Sequence, residues 1–133
     1  MKRIYLILLL LVPLISSAQG RLLGKSIEEV RAAQKEANCP FERTTITKIV
    51  YYDRFCCDNT FETLCYYRKD TCYKVTELLD FAMLDTTRQR LNASAQKVKR
   101  NQWIDKNAGV KIKLSRFKNM FFLDYTALDK QKH

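Results

Sequence analysis

The alternation of apolar and polar positions first predicts a short helix near the start of the folded chain. Apolar side chains in residues 27–38 recur at three- and four-residue steps, which is the spacing of one helical face. Ser26 and Glu29 have the spacing of a capping box at its beginning, and Pro40 cannot continue it. This stretch is therefore predicted to be an amphipathic helix.

Three predicted strands follow the first helix. Residues 44–55, 60–67 and 71–75 are dense in β-branched and aromatic side chains, which favour strands. Turn-forming residues separate them at Asp58-Asn59 and at residues 68–70. The segment is therefore predicted to form a small sheet of hairpins.

A second helix and three more strands complete the predicted order. Thr76 can cap a helix over residues 77–95, whose apolar positions keep mostly to one face. Strands are predicted at residues 97–105, 110–114 and 120–125, followed by a polar tail at residues 126–133. In residues 110–114 Lys111 and Lys113 alternate with apolar residues, so the lysines are expected to face outward.

The order helix, three strands, helix, three strands predicts an α+β fold. Helices gathered on one face of an antiparallel sheet would bury the apolar sides of both layers. The order also suggests a duplicated unit of one helix and three strands.

The N-terminus has the three parts of a secretory signal peptide. Lys2 and Arg3 precede an apolar run, and Ser16-Ser17-Ala18 supplies small residues before a cleavage point. The run has about twelve apolar residues, whereas a membrane-spanning helix needs about twenty. Residues 1–18 are thus predicted to be removed, with cleavage after Gly20 as the alternative. Residues 19–133 then form one domain without a membrane span, secreted or periplasmic.

The cysteines are predicted to form disulfide bonds, because such bonds persist in exported proteins. The five are Cys39, Cys56, Cys57, Cys65 and Cys72, so at most two bonds can form. Cys65 and Cys72 flank a turn and are the preferred pair, while Cys39 can reach Cys56 or Cys57. A zinc site is disfavoured, since no Cys-x-x-Cys pair is present. No metal or other cofactor is expected.

The sequence contains few residues in an arrangement that would indicate catalysis. The only histidine is His133, the last residue, so a serine or cysteine nucleophile has no positioned base. Helix capping and the helix dipole already explain Asp80 and Asp85. No catalytic residue is predicted, and the protein is expected not to be an enzyme, with catalysis by carboxylates alone as an alternative.

Positive charge gathers near the C-terminus. The net charge of +10 falls to +8 without Lys2 and Arg3. The C-terminal basic cluster comprises Lys97, Lys99, Arg100, Lys106, Lys111, Lys113, Arg116 and Lys118, and Asp105 is the one acid among them. Strand alternation would place Lys97 with Lys99, and Lys111 with Lys113, on common faces. A polyanion such as lipopolysaccharide, an acidic glycan or nucleic acid is therefore a possible ligand, although a solvated surface or a protected edge strand has the same pattern.

Residues 23–30 resemble the helix start of small exported bacterial domains related to β-lactamase inhibitor protein and to outer-membrane assembly lipoproteins. The form Leu-Gly-x-Ser-x-x-Glu-Val, opening a helix before a meander, carries the resemblance. Those families usually close the helix with Gly-x-Pro, where this chain has Asn38-Cys39-Pro40, and the lipoprotein cysteine is missing. The resemblance implies a binding module of the cell envelope and carries over no functional residue.

The leading hypothesis is a small exported, disulfide-stapled protein that acts by binding. Its partner would be an envelope or extracellular protein. The second hypothesis is a polyanion ligand on the C-terminal basic cluster, and the third is an enzyme that uses carboxylates.

Overall fold

The computed structural model describes residues 19–57 and 62–128. These residues form two α-helices, α1 (Ile27–Glu36) and α2 (Leu84–Ser94), and two short 3-10 helices, η1 (Gln19–Leu22) and η2 (Phe81–Met83). Within the described ranges, no helix is long and apolar enough to cross a membrane. The predicted signal peptide, the turn at Asp58-Asn59, and His133 lie outside the described residues.

Each α-helix is followed by four strands. After α1 come β1 (Phe41–Ile46), β2 (Tyr51–Phe55), β3 (Glu62–Arg68) and β4 (Thr71–Asp80); after α2 come β5 (Gln96–Lys99), β6 (Gln102–Asp105), β7 (Val110–Phe117) and β8 (Met120–Ala127). All neighbours are antiparallel in one eight-stranded sheet, in the order β1-β2-β3-β4-β8-β7-β6-β5. β4 and β8 meet in the middle, so the two halves of the sheet have the same arrangement.

The predicted fold, with three strands after each helix, was wrong because two predicted strands are hairpins. Residues 44–55 divide at Thr47, whose hydroxyl accepts hydrogen bonds from the backbone N–H groups of Ile49 at 3.1 Å and Val50 at 3.0 Å. Residues 97–105 divide at Asn101, which adopts φ = 62° in the left-handed region that asparagine tolerates. Both turns lie in stretches rich in strand-forming residues, so the composition of these stretches predicted one continuous strand in each.

The second helix also begins later than predicted. β4 continues through residues 77–80 because Glu77 lies between Thr63 of β3 and Leu123 of β8. Pairing on both sides overrides the local preference for a helix. Asp80 then ends the strand, and its side chain accepts a hydrogen bond of 2.9 Å from the backbone N–H of Ala82 in η2.

Two local predictions are confirmed. The Ser26 amide donates to Glu29 Oε1 at 3.1 Å, and the Glu29 amide donates to Ser26 Oγ at 3.2 Å, which completes the capping box. Residues 110–114 alternate between buried and exposed, with Lys111 and Lys113 exposed. β8 extends to Ala127, so the predicted polar tail begins inside a strand.

The segment before α1 is part of the folded domain. Leu22 of η1 is buried. A Cβ atom added to Gly20 would lie 3.1 Å from Val110 Cγ2, so the backbone of η1 packs closely on β7. Cleavage after Ala18 leaves η1 whole, whereas cleavage after Gly20 would remove half of it.

Both helices lie on one face of the sheet, which we call the helix face. A row of directly paired residues on this face crosses six strands and is buried throughout: Asp53, Cys65, Val75, Tyr125, Ile112 and Trp103. Val30 of α1 and Leu91 of α2 are buried as well. The hydrophobic core therefore lies between the helices and the helix face.

The carboxylate of Asp53 connects α1 to three strands. It accepts hydrogen bonds from Arg31 Nε at 2.8 Å and Nη2 at 3.0 Å, from the Thr44 hydroxyl at 2.6 Å and from the Tyr67 hydroxyl at 2.8 Å. Burial acts to raise the pKa of Asp53, but these hydrogen bonds outweigh burial and hold that pKa below its ordinary value. The ionised carboxylate is thus the state that the fold favours.

Two side-chain hydrogen bonds anchor α2 in the other half, one of them from Arg88 Nη2 to Asn101 Oδ1 at 3.0 Å. Trp103 of β6 is buried and donates its indole N–H to Asn92 Oδ1 of α2 at 2.8 Å. A buried indole needs such an acceptor. Each helix is therefore attached to the sheet by a polar contact in addition to apolar packing.

A disulfide joins Cys39, just after α1, to Cys57, just after β2. This bond confirms the prediction that Cys39 reaches Cys56 or Cys57 and ties the first helix to the sheet. Cys56 is exposed.

The preferred pairing of Cys65 with Cys72 was wrong. Both thiols are reduced and buried. A bulge in β3 and β4 places Cys65 opposite Val75 and Cys72 opposite Tyr67. The two cysteines are therefore not directly opposed in the register, and their side chains contact each other as free thiols.

Reduction of the disulfide is expected to lower the free energy of unfolding by about 3 kcal/mol, because the bond closes a loop of moderate length in the unfolded chain. Urea unfolding with and without a thiol reductant measures this difference. The Cys39→Ser/Cys57→Ser double variant is the control and should not respond to the reductant. Equal stability of the wild-type protein under both conditions would contradict the prediction.

Candidate functional site

The face of the sheet opposite the helices, which we call the open face, is the candidate site. Because paired residues share a face, the register aligns its side chains in rows. One row contains Gln96, Ile104, Lys111, Thr126, Lys74, Tyr66, Tyr52 and Thr45. The next contains Lys99, Gln102, Lys113, Asp124, Thr76, Leu64, Arg54 and Arg43. No described helix packs on these rows.

Three tyrosines and two cations form the centre of one half of the open face. The rings of Tyr52 and Tyr66 are 5.1 Å apart, and those of Tyr66 and Tyr73 are 6.4 Å apart. The Arg68 guanidinium lies 4.3 Å from the centre of the Tyr73 ring, and Lys74 Nζ lies 4.3 Å from the centre of the Tyr66 ring. We call these five residues the tyrosine–cation cluster.

The cluster is the part of the site that sequence reasoning missed. Its signal was the pair of Tyr-Tyr dipeptides in β2 and β3, because adjacent residues of a strand point to opposite faces. Tyr51 and Tyr67 meet on the helix face with rings 5.3 Å apart. Tyr52 and Tyr66 meet on the open face, so each dipeptide supplies one tyrosine to the core and one to the candidate site.

Apolar side chains extend the open face beyond the cluster. Leu64, Leu78 and Phe122 are half-buried in adjacent positions of the central strands. Phe117 lies 6.3 Å from Phe122, ring to ring, and 54% of its surface is exposed. The open face thus presents apolar and aromatic surface that solvent reaches.

Basic residues outnumber acidic ones on the open face. The basic side chains are Arg43, Arg54, Arg68, Lys74, Lys99, Lys111 and Lys113, and the acidic ones are Glu62, Asp80 and Asp124. Arg54 pairs with Glu62 at 3.3 Å, and Asp124 accepts a hydrogen bond of 2.6 Å from Thr76. Neither cation of the tyrosine–cation cluster has an ion pair within the described residues.

The C-terminal basic cluster does not share one face. A bulge at Val98 places Lys97 opposite Trp103, on the helix face, and Lys99 opposite Gln102, on the open face. The expectation that Lys97 and Lys99 face the same way was therefore wrong. Lys111 and Lys113 lie on the open face, as expected for residues that alternate with a buried set.

The remaining basic residues lie on the helix face or in turns. Arg116 lies opposite Phe121 and places its guanidinium 4.7 Å from the centre of the Phe81 ring. Arg100 and Lys118 belong to the turns after β5 and β7, and Lys106 belongs to the loop after β6. Lys99, Lys111 and Lys113 of this cluster lie in strands on the open face, and Lys118 Nζ lies 5.4 Å from the centre of the Phe117 ring at the end of that face.

Comparison with protein-family models, with curated proteins and with solved structures gives no match. The resemblance of residues 23–30 to exported bacterial binding domains therefore stays a prediction. Within residues 19–57 and 62–128, no group of three or more histidine, cysteine, aspartate or glutamate side chains could hold a metal ion.

A buried carboxyl group lies on the helix face of β4. Glu77 is 7% exposed and accepts a hydrogen bond of 2.5 Å from the hydroxyl of Tyr125. Burial raises the pKa of Glu77, and the hydrogen bond from Tyr125 and the charge of Arg90 offset only part of this effect. Since the folded protein holds the Glu77 proton more tightly than the unfolded chain does, stability depends on pH through this residue.

The Glu77→Gln variant is expected to change that dependence. An unfolded glutamate titrates near pH ~4.3, and the folded protein keeps the proton to higher pH. The free energy of unfolding of the wild-type protein should therefore fall as pH rises through this window, by at most ~1.4 kcal/mol per pH unit. Glutamine can still accept a hydrogen bond from the Tyr125 hydroxyl but does not titrate. The stability of the variant relative to the wild-type protein should therefore increase as pH rises. Urea unfolding from about pH 4 to about pH 8 measures the difference.

Asp53 does not interfere with this measurement. Its pKa is lowered, so its contribution is present above pH ~3.9 and is lost only as pH falls further. Glu28→Gln, an exposed change on α1, is the control and should follow the wild-type profile. Parallel profiles for Glu77→Gln and the wild-type protein would contradict a raised pKa at Glu77.

Proposed function

We propose that this chain is an exported binding protein that holds a protein partner with an acidic surface on the open face of its sheet. The tyrosine–cation cluster is the observation that carries the proposal. Tyrosine and arginine are enriched among the residues that dominate binding energy in protein interfaces, because they combine large apolar area with hydrogen-bonding groups. The cluster presents both residue types on a sheet face that no described helix covers.

The charge of the open face supports an acidic partner. Lys74, Lys111 and Lys113 lie in two adjacent rows, and Asp124 is the one carboxylate in those rows. Complementary charge raises the association rate and selects among partners more than it adds affinity. The aromatic rings would supply the affinity, while the lysines orient the partner.

The size of the open face supports a protein ligand. Eight strands span about 34 Å, and six residues of a strand span about 20 Å, which gives roughly 700 Å². A standard protein–protein interface buries about 800 Å² on each partner. The open face therefore has the area of one such interface.

The disulfide between Cys39 and Cys57 is compatible with export, because such bonds persist in oxidising compartments. The proposed partner is accordingly an envelope or extracellular protein.

Polyanion binding is the second candidate function, and the shared face of Lys99, Lys111 and Lys113 favours it. Catalysis by carboxylates has less support. Asp53 already accepts four hydrogen bonds, and Glu77 lies in the core against Tyr125.

The decisive experiment compares partner capture by variants of the two faces. The protein is cross-linked in the envelope and medium of its own cell, and captured proteins are quantified by mass spectrometry. Tyr52→Ser/Tyr66→Ser removes two rings of the open face and should reduce the captured partner by at least roughly 30-fold, because a hot-spot residue contributes about 2 kcal/mol. Phe81→Ser/Met83→Ser, which alters exposed apolar residues of η2, is the matched control and should capture as the wild type does.

Other outcomes identify the alternatives. Loss of capture in Lys111→Gln/Lys113→Gln alone, together with retention on a sulfated polysaccharide that weakens steeply with salt, would indicate the polyanion function instead. Equal capture by the wild-type protein and by the Tyr52→Ser/Tyr66→Ser variant would contradict the proposed function.

A further inference from the structure

A cavity of about 550 Å³ opens on the helix side of the sheet, where α1 ends and β1 begins. Its apolar wall consists of Cys39, Pro40, Phe41 and Phe55. It contains no residue of the tyrosine–cation cluster. The cavity is thus a second candidate site, at the opposite side of the sheet from the open face.

Covalent and hydrogen-bonded contacts fix the apolar wall. The disulfide holds Cys39 to Cys57, and the Cys39 amide donates to the carbonyl oxygen of Gln34 at 2.8 Å. Phe41 and Phe55 are directly paired across β1 and β2, with rings 5.8 Å apart in an edge-to-face arrangement. The wall is therefore formed before any ligand arrives.

The two phenylalanines differ in their exposure to solvent. Phe55 is 1% exposed, whereas Phe41 is 50% exposed and has the Arg31 guanidinium 5.3 Å from the centre of its ring. A ligand with an apolar body would cover the ring of Phe41, and removing apolar surface from water is favourable.

Three polar side chains complete the lining: Arg31, Lys35 and Asn38. Arg31 uses Nε and Nη2 for Asp53 and Thr44, and its Nη1 group makes no hydrogen bond within the described residues. Among those residues the Lys35 ammonium has no ion pair, and the Asn38 side chain has no hydrogen bond. Each of the three side chains carries N–H donors, and no carboxylate lines the cavity.

We propose that this cavity binds a small organic anion, a carboxylate carried on an aromatic or aliphatic body. The body would lie against Phe41 and Phe55. The carboxylate would accept hydrogen bonds from Lys35, Arg31 Nη1 and the Asn38 amide. An apolar wall with a few convergent polar groups and a volume of about 300–1,000 Å³ is typical of a ligand pocket.

The positive charge of the site comes from Lys35. Arg31 is already balanced by Asp53, so its remaining donors orient the carboxylate, while Lys35 supplies the net attraction. A hydrogen bond to a charged group contributes about twice as much as one between neutral groups. The cavity should therefore prefer a carboxylate to its neutral amide.

The test uses 3-phenylpropionate and its neutral isostere 3-phenylpropionamide as probes. Each is titrated into the ¹⁵N-labelled protein, and the amide chemical shifts report where and how tightly it binds. The carboxylate should shift the amide signals of Asn38, Phe41 and Phe55 in a saturable manner and bind roughly tenfold more tightly than the amide.

Two charge variants distinguish binding in this cavity from nonspecific electrostatic attraction of the anion to the protein. Lys35→Gln should weaken carboxylate binding roughly tenfold and leave the amide unchanged. Lys48→Gln, an exposed change in the loop at the other end of β1, is the matched control and should bind both probes as the wild type does. Both lysines are exposed, so neither change is expected to disturb the fold.

Several results would overturn the proposal. Absence of saturable shifts at Asn38, Phe41 and Phe55 would exclude a ligand site there. Equal affinity for the carboxylate and the amide, or equal effects of Lys35→Gln and Lys48→Gln, would exclude an anion site. Since the cavity is independent of the open face, failure of partner capture would leave this test unaffected.

Discussion

The buried carboxylate of Asp53 is the contact on which the first half of the molecule depends. Its four hydrogen bonds come from Arg31 of α1, Thr44 of β1 and Tyr67 of β3, so one side chain fixes a helix and the edge of the sheet together. Asp53 is buried, whereas 43% of the Arg31 side chain is exposed. Removing Arg31 would leave a buried carboxylate short of donors at a cost of about 1–3 kcal/mol, a sizeable part of a total stability of roughly 5–15 kcal/mol. Asp53 therefore acts together with the Cys39–Cys57 disulfide and the buried Val30 to hold α1 on the helix face.

The division of the sheet into two faces follows from that contact and from its counterpart in the second half, the hydrogen bond between Asn92 and Trp103. With both helices held on one side, the core lies between helices and sheet, and the open face is left for a partner. The same anchoring of α1 also shapes the cavity beside Cys39, because the end of the helix forms one of its walls. The two proposed sites are thus separate consequences of one arrangement.

Features that depend on residues close in sequence could be predicted from the sequence. Features that depend on pairing between distant strands could not. The capping box and the alternation in residues 110–114 are local patterns, and both are confirmed.

The hairpins at Thr47 and Asn101 could not be recognised because both turns lie in stretches rich in strand-forming residues. Glu77 lies in a strand because β3 and β8 pair with it, and a bulge separates Lys97 from Lys99. Bulges have no signature in composition, so neither the faces of the basic residues nor the cysteine pairing could be predicted completely. The cavity requires that residues 31–41 and Phe55 of β2 come together, which no sequence pattern shows.

The two-faced sheet places the tyrosines of β2, β3, β4 and β8 on opposite sides, some on the open face and some under the helices. Nitration of the folded protein with tetranitromethane, followed by peptide mass mapping, measures this directly. Tyr52, Tyr66 and Tyr73 are partly exposed on the open face and should be modified, whereas Tyr67 and Tyr125 are buried under the helices and should be protected. Protection of Tyr52 and Tyr66 together with modification of Tyr67 would show that the open face is the covered one, and would contradict the account.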